Sequence, residues 1–163
     1  MALLVGFALD QQVTVQKAFA GPLALRERVG TLDPRSLAET DLQDAFRTSP
    51  AIHRFPGAMA TRVQDLARYV VDTYDGDAAR IWTEATDADD LRRRLGDLPG
   101  FGDMKVKVLG AVLSKRLGVA VADGLAPEHM TLGDVDSLEA LADYQAAKRA
   151  RKQAARAARA GNA

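Results

Sequence analysis

The pattern of apolar and polar positions predicts helices along nearly the whole chain. Apolar residues recur at intervals of three or four, which places them on one face of an α-helix. In the longest such stretch they are Met59, Val63, Leu66, Val70 and Tyr74. No stretch reads as a β-strand and no internal repeat is visible, so the sequence predicts an all-α fold. With 163 residues the chain fits a single compact helical domain.

Glycine, proline and helix-capping residues predict where the helices begin and end. Gly21-Pro22 is expected to stop the first helix, and Asp87 is a candidate N-cap. Residues 49–57 read as a connection, and residues 120–135 as a loop that covers a neighbouring surface or reaches outward. The predicted helices cover residues 3–20, 23–29, 34–39, 41–46, 59–74, a short stretch around Ile81 and Trp82, 88–95, 103–117, and a last stretch from Asp136 into the C-terminal tail.

The stretch Leu98-Pro99-Gly100-Phe101-Gly102 separates two of these helices. Pro99 restricts one backbone angle, and the two glycines can adopt positive φ and let another backbone approach closely. The next helix begins immediately with unsatisfied N–H groups, which favour an anion. The residues therefore predict an anion site, and a plain turn between two packed helices is the alternative.

Two segments resemble a known family. The hairpin LPGFG at residues 98–102 is similar to that of the helix-hairpin-helix DNA glycosylases, which include endonuclease III and 3-methyladenine DNA glycosylase. Leu9-Asp10-Gln11-Gln12-Val13 resembles the I-L-x-Q-Q-I/V signature of the 3-methyladenine branch. The resemblance covers roughly residues 3–120 and implies a minimal member. The chain has no cysteine and so cannot hold the iron–sulfur cluster of endonuclease III.

The resemblance also implies how DNA is held. Hairpin amides, with or without a bound monovalent cation, would hold a phosphate without reading a base. Gln12 would face the gap left by an extruded nucleotide; two polar residues on a helix that surfaces from the core are the alternative. The candidate DNA contacts near the hairpin are Gly100, Phe101, Gly102, Met104 and Lys105.

The expected chemistry follows from the same resemblance. Strand-cleaving members carry a lysine two positions after the second hairpin glycine, where this chain has Met104. Lys105 is one step further, about 100° around the helix, so its side chain is expected to point elsewhere and lyase activity is not expected. Counting about 20 residues on from Gly102 gives Asp123 as the candidate catalytic aspartate. The V-D-T-H-like context is absent there, and Asp123-Gly124 also fits a plain turn.

Three functions compete on these grounds. The first is a monofunctional DNA glycosylase that flips damaged, chiefly alkylated, bases and hydrolyses the N-glycosidic bond. The second is a non-catalytic DNA-binding relative that recognises damaged or branched DNA. The third is a helical interaction domain whose basic tail contacts an acidic protein. The resemblance favours the first two, in which the partner is DNA.

Charge distinguishes the C-terminus from the rest of the chain. Residues 148–159 hold six basic residues and no acidic one, which leaves 16 basic and 22 acidic residues elsewhere. We predict a helical domain over residues 1–147 and a basic, alanine-rich tail over residues 148–163. The tail residues proposed to contact DNA are Lys148, Arg149, Arg151 and Lys152. A solvated helix end without a partner is the alternative.

The remaining features limit cofactors and location. The two histidines, His53 and His129, are far apart and have no companion at ligand spacing, so no metal or other cofactor is expected. The apolar opening is too short for a membrane span and lacks the basic flank of a signal peptide. A cytoplasmic protein without a membrane partner is expected. The chain has little after the Asp123 region to build a deep pocket, and a homo-oligomer could supply a missing wall.

Overall fold

The computed structural model describes residues 1–160, and for residues 159 and 160 only the backbone. No strand occurs in this range, which confirms the all-α class. The described helices are α1 (Ala2–Leu9), α2 (Val15–Val29), α3 (Pro34–Glu39), α4 (Gln43–Arg47), α5 (Pro56–Tyr74), α6 (Arg80–Thr83), α7 (Ala88–Gly96), α8 (Asp103–Leu117) and α9 (Leu138–Ala160). Two 3₁₀ helices, Ala120–Leu125 and Leu132–Asp134, lie between α8 and α9.

Helix α1 lies at the centre of the molecule. Six of its eight residues are buried, as its uniformly apolar sequence predicts. Leu4, Phe7 and Ala8 join a hydrophobic cluster formed with α5 to α8 and the first 3₁₀ helix. Val5 and Leu9 join a second cluster formed with α2 to α5. The two clusters therefore share α1 and α5.

The predicted course of the chain after α1 is wrong. α1 ends at Leu9, and α2 continues through Gly21-Pro22 instead of stopping there. Thr14 caps α2 by accepting the Lys17 N–H at 3.2 Å. A Cβ at Gly21 would collide with the Leu9 side chain, so this glycine permits close packing of α2 on α1. Burial of this contact outweighs the local preference of Gly-Pro for ending a helix.

The α7–α8 unit follows its predicted local structure. The Asp87 carboxylate accepts the Asp90 N–H at 2.8 Å and caps α7, as expected. Leu91 and Leu95 are fully buried. α8 begins at Asp103, directly after Gly102. Residues 97–102, called here the α7–α8 turn, are the sharp connection that the glycines predict.

The segment after α8 packs against that helix. Gly133 contacts the α8 backbone so closely that a Cβ there would lie 2.5 Å from the Ala111 carbonyl oxygen. α9 then forms one continuous helix, longer than α5, and passes through residue 148 without a break. Residues 161–163 of the predicted tail lie outside the described residues.

Candidate nucleic-acid interface

An open cleft of about 470 Å³ lies where the α7–α8 turn meets two segments that are distant in sequence. The first is the turn between α1 and α2, residues 10–14, and the second is α5. The residues that line this cleft are Gln11, Arg62, Gly100, Gly102, Asp103, Met104 and Lys105. The cleft therefore includes Gly100, Gly102, Met104 and Lys105 from the sequence prediction, while Phe101 is buried beside it.

The two turn glycines have different roles. Gly100 has a φ of +81°, which favours glycine, and a Cβ there would lie 2.9 Å from the Arg62 side chain. Gly102 has an extended backbone with a φ of −99°, and nothing lies within 4 Å of the position of a Cβ. No side chain caps the start of α8 at Gly102. Open space therefore borders the first backbone N–H groups of α8.

Lys105 and Met104 both line the cleft, but their side chains diverge, since Met104 is 72% exposed whereas the Lys105 amine turns back to the end of α1. The Lys105 Nζ donates a hydrogen bond to the Ala8 carbonyl oxygen at 3.2 Å and lies 5.5 Å from the centre of the Phe101 ring. Burial, reinforced by the positive charge of Arg62, lowers the pKa of Lys105 to about 8, while Asp10 acts in the opposite direction. Lys105 thus connects the end of α1 to the start of α8.

Gln11, and not Gln12, reaches the cleft. The Gln11 side-chain oxygen accepts a hydrogen bond from the Arg62 guanidinium, and both side chains lie on the cleft wall. Gln12 has a φ of 58° and is exposed in the α1–α2 turn. The segment to which the resemblance drew attention thus borders the cleft through Gln11, and the role of Gln12 stays a prediction. Arg62 was not predicted, because it is 38 residues from Gly100 and no local pattern relates the two.

His53 holds the α1–α2 turn in place. Its Nδ1 accepts the Phe55 N–H at 3.1 Å, so Nε2 carries the proton and donates to the Gln11 carbonyl oxygen at 3.0 Å. His53 is 1% exposed, and this burial lowers its pKa. Its bond to Gln11 acts in the opposite direction. The residue is therefore a neutral structural link and not a surface histidine.

Two further cations, Lys17 and Arg54, lie near the segment that forms one wall of the cleft. Lys17 and Arg54 lie close enough to His53 to lower its pKa further. Lys17 donates to the Ala51 carbonyl oxygen at 2.7 Å, and Arg54 lies 4.7 Å from the centre of the Phe55 ring, which is 41% exposed. Among residues 1–160, neither of these cations nor Arg62 or Lys105 forms an ion pair. Their charge is available to an anionic partner.

Asp123 lies away from the cleft. Its carboxylate accepts a hydrogen bond from the Ser114 hydroxyl at 2.5 Å. Ser114 follows Asp103 by eleven residues, and in a helix this is about 16 Å. The catalytic role of Asp123 stays a prediction that the cleft geometry does not support. The carboxylate on the cleft wall belongs to Asp103.

The predicted tail contacts lie on α9 and not in the cleft. Lys148, Arg149, Arg151 and Lys152 are exposed. The Arg151 guanidinium donates to the Met130 carbonyl oxygen at 3.3 Å, and the Lys148 Nζ lies 5.7 Å from the centre of the Tyr144 ring.

The cation that the resemblance implies at the hairpin finds little support. The Gly102 carbonyl oxygen accepts the N–H groups of Lys105 at 2.8 Å and Val106 at 3.1 Å, so both of its lone pairs are used. Within the part of the chain that is described, no group of three or more acidic or histidine side chains is arranged to hold a metal ion. None of the helices between residues 1 and 160 has the length and apolarity of a membrane span.

No protein-family model, curated protein or solved structure matches this chain. The fold and the site thus define an all-α protein with an open cleft at an interhelical turn, lined by two cationic side chains and one carboxylate.

Proposed function

We propose that the protein binds DNA and holds a backbone phosphate in the cleft at the start of α8. The observation that carries the proposal is the convergence of uncapped α8 amides with Arg62 and Lys105, two cations without an ion-pair partner in the described residues. Amide N–H groups at a helix start and nearby cations together favour an anion. The cleft is open, which suits a phosphate on a continuous backbone.

The proposed contact is independent of base sequence. Phosphate contacts position a protein on a duplex and contribute salt-dependent affinity, whereas reading a sequence requires contacts to base edges. The resemblance of the hairpin to that of DNA-repair proteins supports DNA as the source of the phosphate. We therefore expect similar affinity for duplexes of different sequence.

Gly102→Glu tests this proposal. Because Gly102 has an extended backbone and open space, the new side chain should not disturb the fold, but it places a carboxylate where the phosphate is proposed to bind. We expect at least a tenfold loss of affinity for every duplex, measured by fluorescence anisotropy at constant salt. Gly96→Glu is the matched control, since Gly96 also has nothing within 4 Å of its Cβ position and lies outside the cleft lining.

Unchanged affinity in a folded Gly102→Glu protein would remove the cleft from the account of DNA binding. An equal loss in Gly96→Glu would assign the effect to net charge and not to the site.

A second candidate function is base excision by hydrolysis of the N-glycosidic bond, as in a monofunctional DNA glycosylase acting on alkylated bases. The observation that favours it is the presence of Gln11 and Asp103 on the cleft wall. A carboxylate beside the sugar would offset the positive charge that develops as the bond breaks.

The two aspartates provide a matched test of this second candidate. The wild type is incubated with alkylated duplexes, and abasic sites are counted after cleavage of the product. We expect Asp103→Asn to abolish base release and Asp123→Asn to leave it intact, because only Asp103 lines the cleft. Loss of base release in Asp123→Asn alone would restore Asp123 as the catalytic aspartate expected from the sequence. No base release by the wild type, with DNA binding retained, would leave the non-catalytic function.

A further inference from the structure

Among the described residues, the contacts of helix α9 with the rest of the protein end at Arg151. Tyr144 is 4% exposed, and the Gln145 amide donates to the Gln16 side-chain oxygen at 3.1 Å. The last described contact is the Arg151 bond to the Met130 carbonyl oxygen. All residues from 148 to 158 are exposed. The C-terminal part of α9 therefore presents its surface to solvent.

The exposed part of α9 has one basic face. At about 100° per residue, four cations fall within an arc of about 100°. We call these four residues the basic face of α9, and they are Lys148, Arg149, Lys152 and Arg156. The opposite side is formed by alanines, which include Ala150, Ala154 and Ala157. Arg151 lies outside the arc, where it contacts Met130.

A short stretch of chain connects the attachment point of α9 to the cleft. Gln145 contacts Gln16 in the first turn of α2, and Gln11, five residues earlier, lines the cleft. Five residues span at most about 18 Å of chain. This length corresponds to roughly five base pairs of duplex at 3.4 Å each. A duplex that extends about five base pairs from the cleft towards Gln16 would reach the attached part of this helix.

We propose that the basic face of α9 is a second DNA contact, which binds backbone phosphates of the duplex that is held in the cleft. The inference rests on the proposed DNA binding and extends it to a second, separate surface. The four cations lie along about 12 Å of helix. One strand of a duplex offers about one phosphate per 3.4 Å of its axis, so the density of charge is comparable.

The composition of α9 favours DNA over a membrane as the polyanion. A helix that binds a lipid surface buries large apolar side chains such as Trp, Phe or Leu on the side opposite its cations. Alanine occupies that side from residue 150 to residue 158, with a glutamine at 153. Such a side offers little apolar area for insertion between lipids.

Two variants of the full chain test the proposal. The neutral variant replaces the basic face by glutamine: Lys148→Gln, Arg149→Gln, Lys152→Gln and Arg156→Gln. The rearranged variant keeps composition and net charge but moves two cations to the alanine side: Lys152→Ala with Ala154→Lys, and Arg156→Ala with Ala157→Arg. Because residues 148–158 are exposed, neither variant should disturb the core, and circular dichroism checks the helix content.

The measurement is how the affinity for a 25-base-pair duplex depends on salt concentration. This duplex is about 85 Å long at 3.4 Å per base pair. Each phosphate contact contributes about −0.9 to the slope of log K against log salt, so the neutral variant should flatten the slope by about 3 to 4. The rearranged variant, with two cations left on the face, should flatten it by about 2.

The outcomes separate this inference from the proposed function. If Gly102→Glu weakens binding while both α9 variants match the wild type, the basic face is not a DNA contact. The rearranged variant could show the same salt dependence as the wild type while only the neutral variant binds DNA more weakly. The cations would then act through net charge and not through a defined face, and this result would also overturn the inference. If the wild type binds no DNA, the proposed function fails and the inference with it. Binding of the wild type to anionic lipid vesicles, with no α9 effect on DNA, would identify a membrane contact instead.

Discussion

Single residues of the α7–α8 turn contribute to the cleft in different ways. Gly100 needs its positive φ, and any Cβ would press on the Arg62 side chain, so a substitution there disturbs the cleft wall itself. Gly102 has an extended backbone that any residue can adopt, so a substitution there changes which ligand can enter the cleft and leaves the backbone unstrained. Met104 is 72% exposed at the cleft and ready to contact a ligand. Lys105 is the one cleft cation whose charge depends on pH in the neutral range.

If the cleft binds DNA as proposed, Lys105 should make the affinity sensitive to mild alkali. Its pKa of about 8 means that the positive charge is present at pH 7 and largely lost by pH 9. Ordinary lysines keep their charge in this range, because their pKa is about 10.4. We expect the affinity for duplex DNA to fall between pH 7 and pH 9, measured by fluorescence anisotropy at constant ionic strength.

Lys105→Arg is the control, because arginine stays protonated throughout this range. Its affinity should be flat with pH. An equal decrease in both proteins would show that Lys105 is not the titrating group.

At the scale of elements, the shape of the cleft depends on hydrogen bonds that neighbouring elements make to the irregular segment between α1 and α2. The α1–α2 turn has no regular structure, yet three hydrogen bonds fix its position: from Lys105 to Ala8 near the end of α1, from Arg62 to the Gln11 side chain, and from His53 to the Gln11 carbonyl. The last of these comes from the connection between α4 and α5. Each anchor is a hydrogen bond from a side chain of one element to another element, so the shape of the turn follows from its neighbours.

The His53 anchor predicts a dependence of stability on pH. Protonation of Nδ1 would break the bond from the Phe55 N–H, and burial disfavours the charged ring. In the unfolded chain the histidine pKa is about 6.5, so the unfolded state takes up this proton first. The free energy of unfolding should therefore decrease as pH falls from about 6.5 through the lower pKa of folded His53.

His53→Gln supplies the comparison, since an amide can donate to Gln11 and accept from Phe55 without titrating. Denaturant unfolding from pH 7 to pH 5 should show a smaller decrease in this variant. Parallel curves for the two proteins would remove His53 from the explanation.

At the scale of the whole molecule, the two hydrophobic clusters belong to one cooperative unit. α1 contributes Leu4 and Phe7 to one and Val5 and Leu9 to the other, so loss of α1 would expose both. The end of α9 takes no part in either cluster. Its residues 148–158 are exposed, whereas Tyr144 is buried. Stability should therefore depend on the chain up to about residue 147.

Two truncations test this division. Removal of the residues after Ala147 deletes only exposed side chains among those described, so the midpoint of thermal unfolding should stay within about 2 °C of the full chain. Removal of the residues after Asp143 also deletes buried Tyr144. Burial of a large apolar side chain contributes about 1.5–3 kcal/mol, so the midpoint should fall by several degrees. Equal midpoints for the two truncations would contradict the anchoring role of Tyr144.

The regular elements were largely predictable because their causes are local. Helical spacing placed Leu91 and Leu95 on the buried face of α7, and the Asp87 cap was confirmed. The same local rules failed at Gly21-Pro22, where packing against Leu9 maintains the helix. Local spacing also predicted that Lys105 and Met104 point in different directions, and Met104 is indeed exposed while the Lys105 amine bonds to the end of α1.

The amino-acid sequence by itself determined the all-α class, the sharp turn before α8 and the separation of a basic C-terminus, since each depends on residues close together in the chain. Only the tertiary structure decided which side chains form the cleft. It brought Arg62 and Gln11 to Gly100 and Lys105, left Gln12 outside, and placed Asp123 towards the other end of α8. The physical reason is that the packing of α5, α7 and α8 around α1 determines which residues become neighbours. A local sequence pattern does not contain this information.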